Sequence, residues 1–253
     1  MLGAVAALAM AYGWFEAGWL RTRVLDVPVA GLPEELEGLR IAHLSDFHLG
    51  PPSRGAVAVR QAADWVRERR PDLTVVTGDL LSHPRGRAQL DVALRGLGAY
   101  AVSGNHDVAV TRDPFSRASA LGGLPATLLD DTSRVVDLRG VTVQLAGAAP
   151  RPGGPLPDPD PAAAFRILLT HYPRLLAPGY QLVLAGHMHA GQIVVPYPGG
   201  KLRFAHLRSR LTEGLYREGG VTLHVSPGLG TTFVPFRLFA RPEVTELVLR
   251  RSG

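Results

Sequence analysis

At 253 residues, 46% apolar and 19% charged, the chain is long enough to bury the core of one large domain and too apolar to remain disordered. It has no cysteine, which excludes disulfides, zinc–thiolate sites and thiol nucleophiles, so any metal must be held by nitrogen and oxygen. The net charge of +5 rests on scattered arginines, with Lys201 the only lysine; this is no nucleic-acid stripe, and only a mild pull on phosphate remains.

Residues 1–23 read as an apolar helix and residues 24–253 as the main domain. Met1 to Phe15 carry no charge, Glu16 interrupts, and Arg21 and Arg23 follow. A membrane-crossing helix needs about 20 apolar residues, and Tyr12, Trp14, Phe15 and Trp19 suit an interfacial belt. Membrane association through residues 1–20 is therefore expected; the alternative is a helix packed on the domain of a soluble cytoplasmic protein. These residues show no basic n-region and no clear small-residue cleavage site, so a secretory signal is not the expected reading. If the helix spans, the arginines after it place the domain on the cytoplasmic face.

Leu39–Leu44 is a buried-strand run ending at Ser45-Asp46-Phe47-His48. Arg54 to Arg69 has helical periodicity, with Val57, Ala58, Ala62, Trp65 and Val66 on one side, and Pro71 breaks it. Leu73–Thr77 is the next strand, ending at Gly78-Asp79. A helix over roughly 89–97 leads to a strand at Tyr100–Ser103 and then Gly104-Asn105-His106-Asp107. Thr127–Leu129, Val135–Leu138 and Val141–Ala146 read as strands joined by tight turns. Pro150 to Pro161 is a proline- and glycine-rich loop. Phe165–Thr170 and Leu182–Ala185 are buried strands ending at His171 and at Gly186-His187-Met188-His189, and Val221–Val225 and Val244–Leu249 follow. This order fits a four-layer α/β/β/α sandwich of two mixed β-sheets flanked by helices.

Strand ends are where α/β folds place ligand-binding groups. Here they carry Asp46 and His48, then Asp79, then Asn105 and His106, then His171, then His187 and His189. Asp46 and His48, two apart across a strand end, can converge on one ion, and His187 and His189 repeat that spacing. A lone histidine at a strand end is more often a satisfied core or surface residue; the joint pattern is what points to metal. Such a set holds two divalent ions if one carboxylate bridges them, and two ions about 3.5–4 Å apart suit displacement at phosphorus.

These blocks resemble, in order and approximate separation, the five signature blocks of the calcineurin-like metallophosphoesterases, from about Leu39 to the C-terminus. Leu44-Ser45-Asp46, Gly228-Leu229-Gly230-Thr231, Arg237-Leu238 and Arg241-Pro242-Glu243 resemble one bacterial branch. That branch includes membrane-associated or exported phosphodiesterases and often begins with a hydrophobic helix. The resemblance implies one metal on Asp46, His48, Asp79 and His189, and a second on Asp79, Asn105, His171 and His187, with Asp79 as the bridge. It implies that His106 is not a ligand and instead stabilises phosphoryl oxygens or protonates the leaving oxygen, oriented by Asp107. The nucleophile it implies is a metal-bound hydroxide.

Mn²⁺ is the expected metal, with Fe or Zn²⁺ as alternatives, since all accept nitrogen and oxygen donors. The expected activity is hydrolysis of a lipid-linked or membrane-associated phosphodiester by a monomer. A nucleic-acid or cyclic-nucleotide phosphodiesterase is the first alternative and a non-catalytic metal-binding scaffold the second. Tyr172, Met188, Ala190 and Pro227 depart from the branch pattern. None is a ligand, so the departures bear on substrate contacts, and core packing accounts for Met188.

Overall fold

A computed structural model describes residues 2–51, 53–111, 121–205 and 209–252; Met1 of the expected first helix lies outside them. The helix expected over 1–23 is α1 (Leu2–Glu16), and Arg21 already opens strand β1 (Arg21–Ala30). Strand β1 thus begins inside the segment expected to be helical. The physical reason is a period-2 pattern, with Val27 and Val29 buried on one face. Pro28 between them is tolerated because β1 is an edge strand.

β2 (Arg40–Leu44), α2 (Gly55–Arg69), β3 (Leu73–Thr77), α3 (Arg87–Leu94) and β4 (Tyr100–Val102) form the expected β-α-β-α-β run, with the strands parallel. β2 to β4 are apolar almost throughout because both faces are covered. α2 and α3 lay Val59, Ala62, Val66, Leu90 and Leu94 against Leu44 and Val76. Arg70 stops α2 with a left-handed backbone (φ 49°), its amide bonding back to Val66, just ahead of Pro71. α4 (Asn105–Thr111) starts where β4 ends, and β5 (Thr127–Leu128) adds beside β4.

The second half supplies β6 (Thr132–Leu138), β7 (Val141–Ala148), β8 (Phe165–Thr170) and β9 (Leu182–Ala185). A separate hairpin, β10 (Val194–Tyr197) and β11 (Gly200–Arg203), precedes β12 (Gly214–Glu218), β13 (Val221–Val225) and β14 (Glu243–Ser252). β10, β11 and β12 are not among the expected strands; they are short, half-exposed and weakly patterned.

The first sheet has the order β1-β14-β2-β3-β4-β5 and the second β12-β13-β9-β8-β7-β6. Their inner faces meet through Val27, Ile41 and Val75 on one side and Leu145, Phe165 and Ile167 on the other. Each such side chain contributes roughly 1.5–3 kcal/mol by leaving water. The expected pair of mixed sheets flanked by helices is thus present. α2 and α3 cover the first sheet, whereas Leu156, Leu175, Ala177 and Tyr180 of the connecting chain cover Leu168 and Val183 on the second. The turns after β2, β3, β4, β8 and β9 converge on one rim, where the polar residues of the sequence blocks come together.

Candidate metal centre

The rim turns aim their side chains inward by taking backbone shapes that ordinary residues avoid. Asp46, His48, Asp79, His187 and His189 all have positive φ, from 46° to 72°, a region that costs a non-glycine residue about 1–2 kcal/mol. Such outliers persist only where the surroundings over-determine them, and they cluster at functional sites. Glycine makes the room. A Cβ on Gly104 would overlap the Asp79 carboxylate, and one on Gly186 would overlap the Ser45 hydroxyl.

The side chains gather as two sets sharing one oxygen. In the first, His48 Nε2 lies 3.0 Å from His189 Nε2 and 3.4 Å from Asp79 Oδ2, and His189 Nε2 lies 3.4 Å from Asp46 Oδ1. In the second, His171 Nε2 lies 3.3 Å from the same Asp79 Oδ2, 3.0 Å from Asn105 Oδ1 and 3.1 Å from His187 Nδ1. The geometry brings all seven expected ligands together in the two groups that the resemblance implies. Asp79 does so with one oxygen, not two, because its Oδ1 accepts the backbone N–H of His106 at 2.8 Å.

These spacings suit cations. A metal–ligand distance of about 2.1 Å gives ligand–ligand edges of about 3.0 Å in octahedral and about 3.4 Å in tetrahedral geometry. The outward nitrogens are held as metal histidines require: His48 Nδ1 meets Ser82 Oγ at 2.9 Å, and His171 Nδ1 donates to the Thr77 carbonyl at 3.0 Å. Burial opposes ionisation of Asp79, yet the imidazoles of His171 and His48 hold its carboxyl far below the usual range. Burial also opposes charge on His171, but the carboxylates of Asp79 and Asp46 raise it to about 9. Burial pushes Asp46 up to about 6 and His48 down to about 3. A buried cluster so divided suits a site completed by cations, which favour the deprotonated form of every donor.

His106 stands beside the cluster, its ring centroid 4.7 Å from that of His48 and 6.0 Å from that of Phe233, with Thr232 Oγ1 3.5 Å from Nε2. Its nitrogen also falls within ligand range of His48 and Asp79. Asp107 does not orient it. The Asp107 carboxylate accepts the backbone N–H groups of Leu80, Leu81 and Gly104 at 2.8–3.1 Å. Asp107 therefore ties the turn bearing Asp79 to the turn bearing Asn105, a correction to the expected role. Three otherwise unpaired turn amides, two of them on the turn after β3, give the buried carboxylate partners that the adjacent imidazole does not.

The profile of the calcineurin-like phosphoesterase family matches residues 39–191. The chain belongs to that family of phosphoester hydrolases. A transmembrane protein with metallophosphoesterase domain from Danio rerio is 31% identical over 280 residues, covering 98% of this chain and 62% of that protein. The uncharacterized metallophosphoesterase YkuE of Bacillus subtilis (strain 168) is 28% identical over 279 residues, covering 100% of this chain and 96% of that protein. The calcineurin-like phosphoesterase YfkN of Bacillus subtilis aligns with 83% of this chain and 90% of its own at 14% identity and a TM-score of 0.43. The chain spans less than two thirds of the Danio rerio relative.

Around this family centre the structure adds supports that sequence reasoning leaves without a role. Arg237 is fully buried, gives its N–H groups to the carbonyls of Pro227, Gly230 and Ala240, and approaches His189 Nδ1 at 3.2 Å. The same loop carries α1: Glu16 accepts the backbone N–H groups of Phe239 and Ala240 at 2.8 and 2.7 Å. Tyr172 stacks edge-on to His187, centroids 4.5 Å apart. Met188 is buried in the core beside Val183, as its packing role requires. A charged residue embedded in an apolar stretch, as Glu16 and Arg237 both are, is the sequence signal that marks these supports.

Proposed function

We propose that the chain is a two-metal phosphodiesterase acting on a phosphoester whose organic group is apolar, lipid-linked and presented at a membrane surface. The observation that carries this reading is Phe233. It is 86% exposed, has φ 60° and stands over His106. With Ile193, Phe204 and Val234 it lines an apolar recess of about 230 Å³ that His189 also borders. A bulky residue in the left-handed region with its ring in water lacks a folding rationale and suits contact with an apolar ligand.

Apolar side chains are also exposed on α1. Tyr12 packs on Phe239 at 5.7 Å, and Val5, Leu8 and Phe15 are exposed. Arg54 and Arg241 lie over the rings of Trp14 and Trp19 at 4.0 and 3.8 Å, a pairing suited to a lipid interface. Among the described residues no helix is long and apolar enough to cross a membrane; the contact assigned to α1 is association with the surface. The Danio rerio relative is a transmembrane protein with metallophosphoesterase domain, which supports a membrane setting.

Two divalent cations held by the rim donors, Mn²⁺ first with Fe or Zn²⁺ as alternatives, would supply Lewis acidity at phosphorus and an activated water. The chain's part is then defined. Asp46, His48, Asp79, Asn105, His171, His187 and His189 fix both positions, and Asp107 locks two of the turns that carry them. His106 protonates the leaving oxygen. Phe233 and the recess hold the organic group and exclude water. Arg237 is committed to carbonyls, so bound cations, not this guanidinium, would face the phosphate.

Purified full-length chain with Mn²⁺ is expected to hydrolyse a lipid-linked diester in mixed micelles at least tenfold more efficiently than a dinucleotide, a cyclic nucleotide or an aryl monoester. A preference for nucleotides transfers the assignment to the nucleic-acid reading, and full metal occupancy without turnover on the panel leaves a scaffold. Leu8→Glu, at an exposed position, is expected to weaken flotation with anionic phospholipid vesicles; unchanged flotation removes α1 from membrane contact.

A further inference from the structure

Buried between the two sheets is a line of polar side chains that the proposed reaction uses only at its last member, Asp46. His43 on β2 and His224 on β13 are 0% and 1% exposed, with their Nδ1 atoms 2.8 Å apart. His43 Nε2 lies 2.9 Å from Thr77 Oγ1, Thr77 Oγ1 donates to Ser45 Oγ at 2.8 Å, and Ser45 Oγ donates to Asp46 Oδ2 at 2.6 Å. The line runs from the core to a metal ligand.

Its proton positions follow from the carboxylate end. An ionised Asp46 only accepts, so Ser45 donates to it. The Ser45 oxygen then receives the single proton of Thr77, and the Thr77 oxygen receives Nε2–H of His43. That leaves a lone pair on His43 Nδ1, filled by Nδ1–H of His224, whose Nε2 is buried without a partner. Every bond in the line points toward Asp46. Burial holds His43 far below its ordinary value and His224 down to about 3, so both rings are neutral, with one donor and one acceptor each. Two histidines in a sheet interface are costly beside apolar residues of the same volume, and the packing of the sheets does not require them.

We propose that His43 and Thr77 are positioning residues of the metal centre, which act through Ser45 to hold Asp46 Oδ2 back and present Oδ1 to the cation. Oδ1 is the oxygen that lies 3.4 Å from His189 Nε2. Partners of this kind orient metal ligands, and their loss typically costs 10–100-fold in affinity. The inference rests on the reading of Asp46 as a ligand.

Calorimetric titration of Mn²⁺ into the metal-free full chain, with thermal melts of the same samples, tests it. Thr77→Val and His43→Leu are expected to weaken one of the two Mn²⁺ sites by roughly 10–100-fold and spare the other. Thr77→Ser and His43→Gln, which keep the hydroxyl and the N–H donor, are expected to bind as the parent does. Unchanged affinity in all four variants, or equal weakening by conservative and disruptive changes, overturns the positioning role. Should His43→Leu fail to fold, the Thr77 pair decides. Asp46→Ala separates the two layers of inference. Two intact sites in that variant remove Asp46 as a ligand, whereas loss of one site there with no effect of Thr77→Val removes the relay alone.

Discussion

The rim of the two sheets and the face formed by α1 and the loop around Phe233 adjoin each other, and both invert the usual placement of side chains. At the rim Asp46, His48, Asp79, Asp107, His171 and His189 are polar and buried; on the face Val5, Leu8, Phe15, Phe233 and Phe239 are apolar and more than half exposed. Buried polar groups and exposed apolar patches are the two placements that carry information. The rim's inversion is compensated from within, by reciprocal contacts among carboxylates, imidazoles and backbone amides, and cations complete it. The face has no such compensation among the described residues. Its natural complement is an apolar group or surface from outside, and the two regions meet where His106 faces Phe233. On the proposed function, the rim carries the chemistry at phosphorus and the face selects what the phosphorus is attached to.

Removing the shared negative charge breaks the rim most severely. Asp79→Asn takes charge from both cation positions at once, so elemental analysis should find both metals depleted and turnover should fall by more than any other single change costs. His106→Ala is the next largest. It leaves the seven ligands in place, so metal content should stay at the parental level while kcat falls roughly 10²–10⁴-fold, the range for a lost general acid. Metal loss in step with activity in His106→Ala would make His106 a ligand, in line with its place among the clustered donors. Asp107→Asn bears on the corrected role: loosening of both turns should lower stability and metal affinity together.

Much of the rim is legible in the sequence because its two layers use different alphabets. β2, β3, β4, β8 and β9 read as strands from largely apolar runs, and the ligands read from the polar residues at the end of each run. The hidden part depends on three-dimensional pairing. Asp107 follows His106 in sequence, yet its partners are amides of Leu80 and Leu81 on another turn. His43 sits inside a run that reads as plain buried strand, and its contact with His224 spans 181 positions. β1 is hidden because its period-2 pattern comes directly after an apolar helix. Phe233 is hidden more deeply, since neither positive φ nor exposure has a one-residue signature.

Acidity offers a smaller but cleaner probe of the rim. In the metal-free protein His171 is raised to about 9 by Asp79 and Asp46 against the opposing effect of burial. A histidine whose folded value exceeds its unfolded value of about 6.5 stabilises the fold while protonated. That contribution is complete below about pH 6.5 and is lost as pH rises through about 9. Asp107, raised to about 7 by burial and by the charge of Asp79, loses its share of stability mostly below neutrality, so the window above belongs to His171. Melting temperatures of metal-free protein should therefore fall between about pH 7 and pH 9.5, and those of Mn²⁺-loaded protein should stay level, since a ligating His171 has already released its proton. Parallel curves with and without metal would show that His171 is not a ligand.

The smallest expected effect decides what the exposed face is for. Phe233 occupies the left-handed region at φ 60°, which costs a side-chain-bearing residue about 1–2 kcal/mol relative to glycine. Its ring, 86% exposed, recovers little of that by burial. Phe233→Gly should therefore leave the melting temperature unchanged or raise it, by up to about 1 kcal/mol of stability once the extra freedom of glycine in the unfolded chain is set against the relief of strain. The same change should lower kcat/KM for the lipid-linked diester about tenfold, equivalent to about 1.4 kcal/mol of apolar contact. A small aryl diester, which reaches the cations without filling the recess, should be hydrolysed as before. A loss of stability with no change in substrate preference would return Phe233 to the fold. A gain in stability with a loss of preference would place it among residues kept at the fold's expense, and would tie the strained ring to the choice of leaving group.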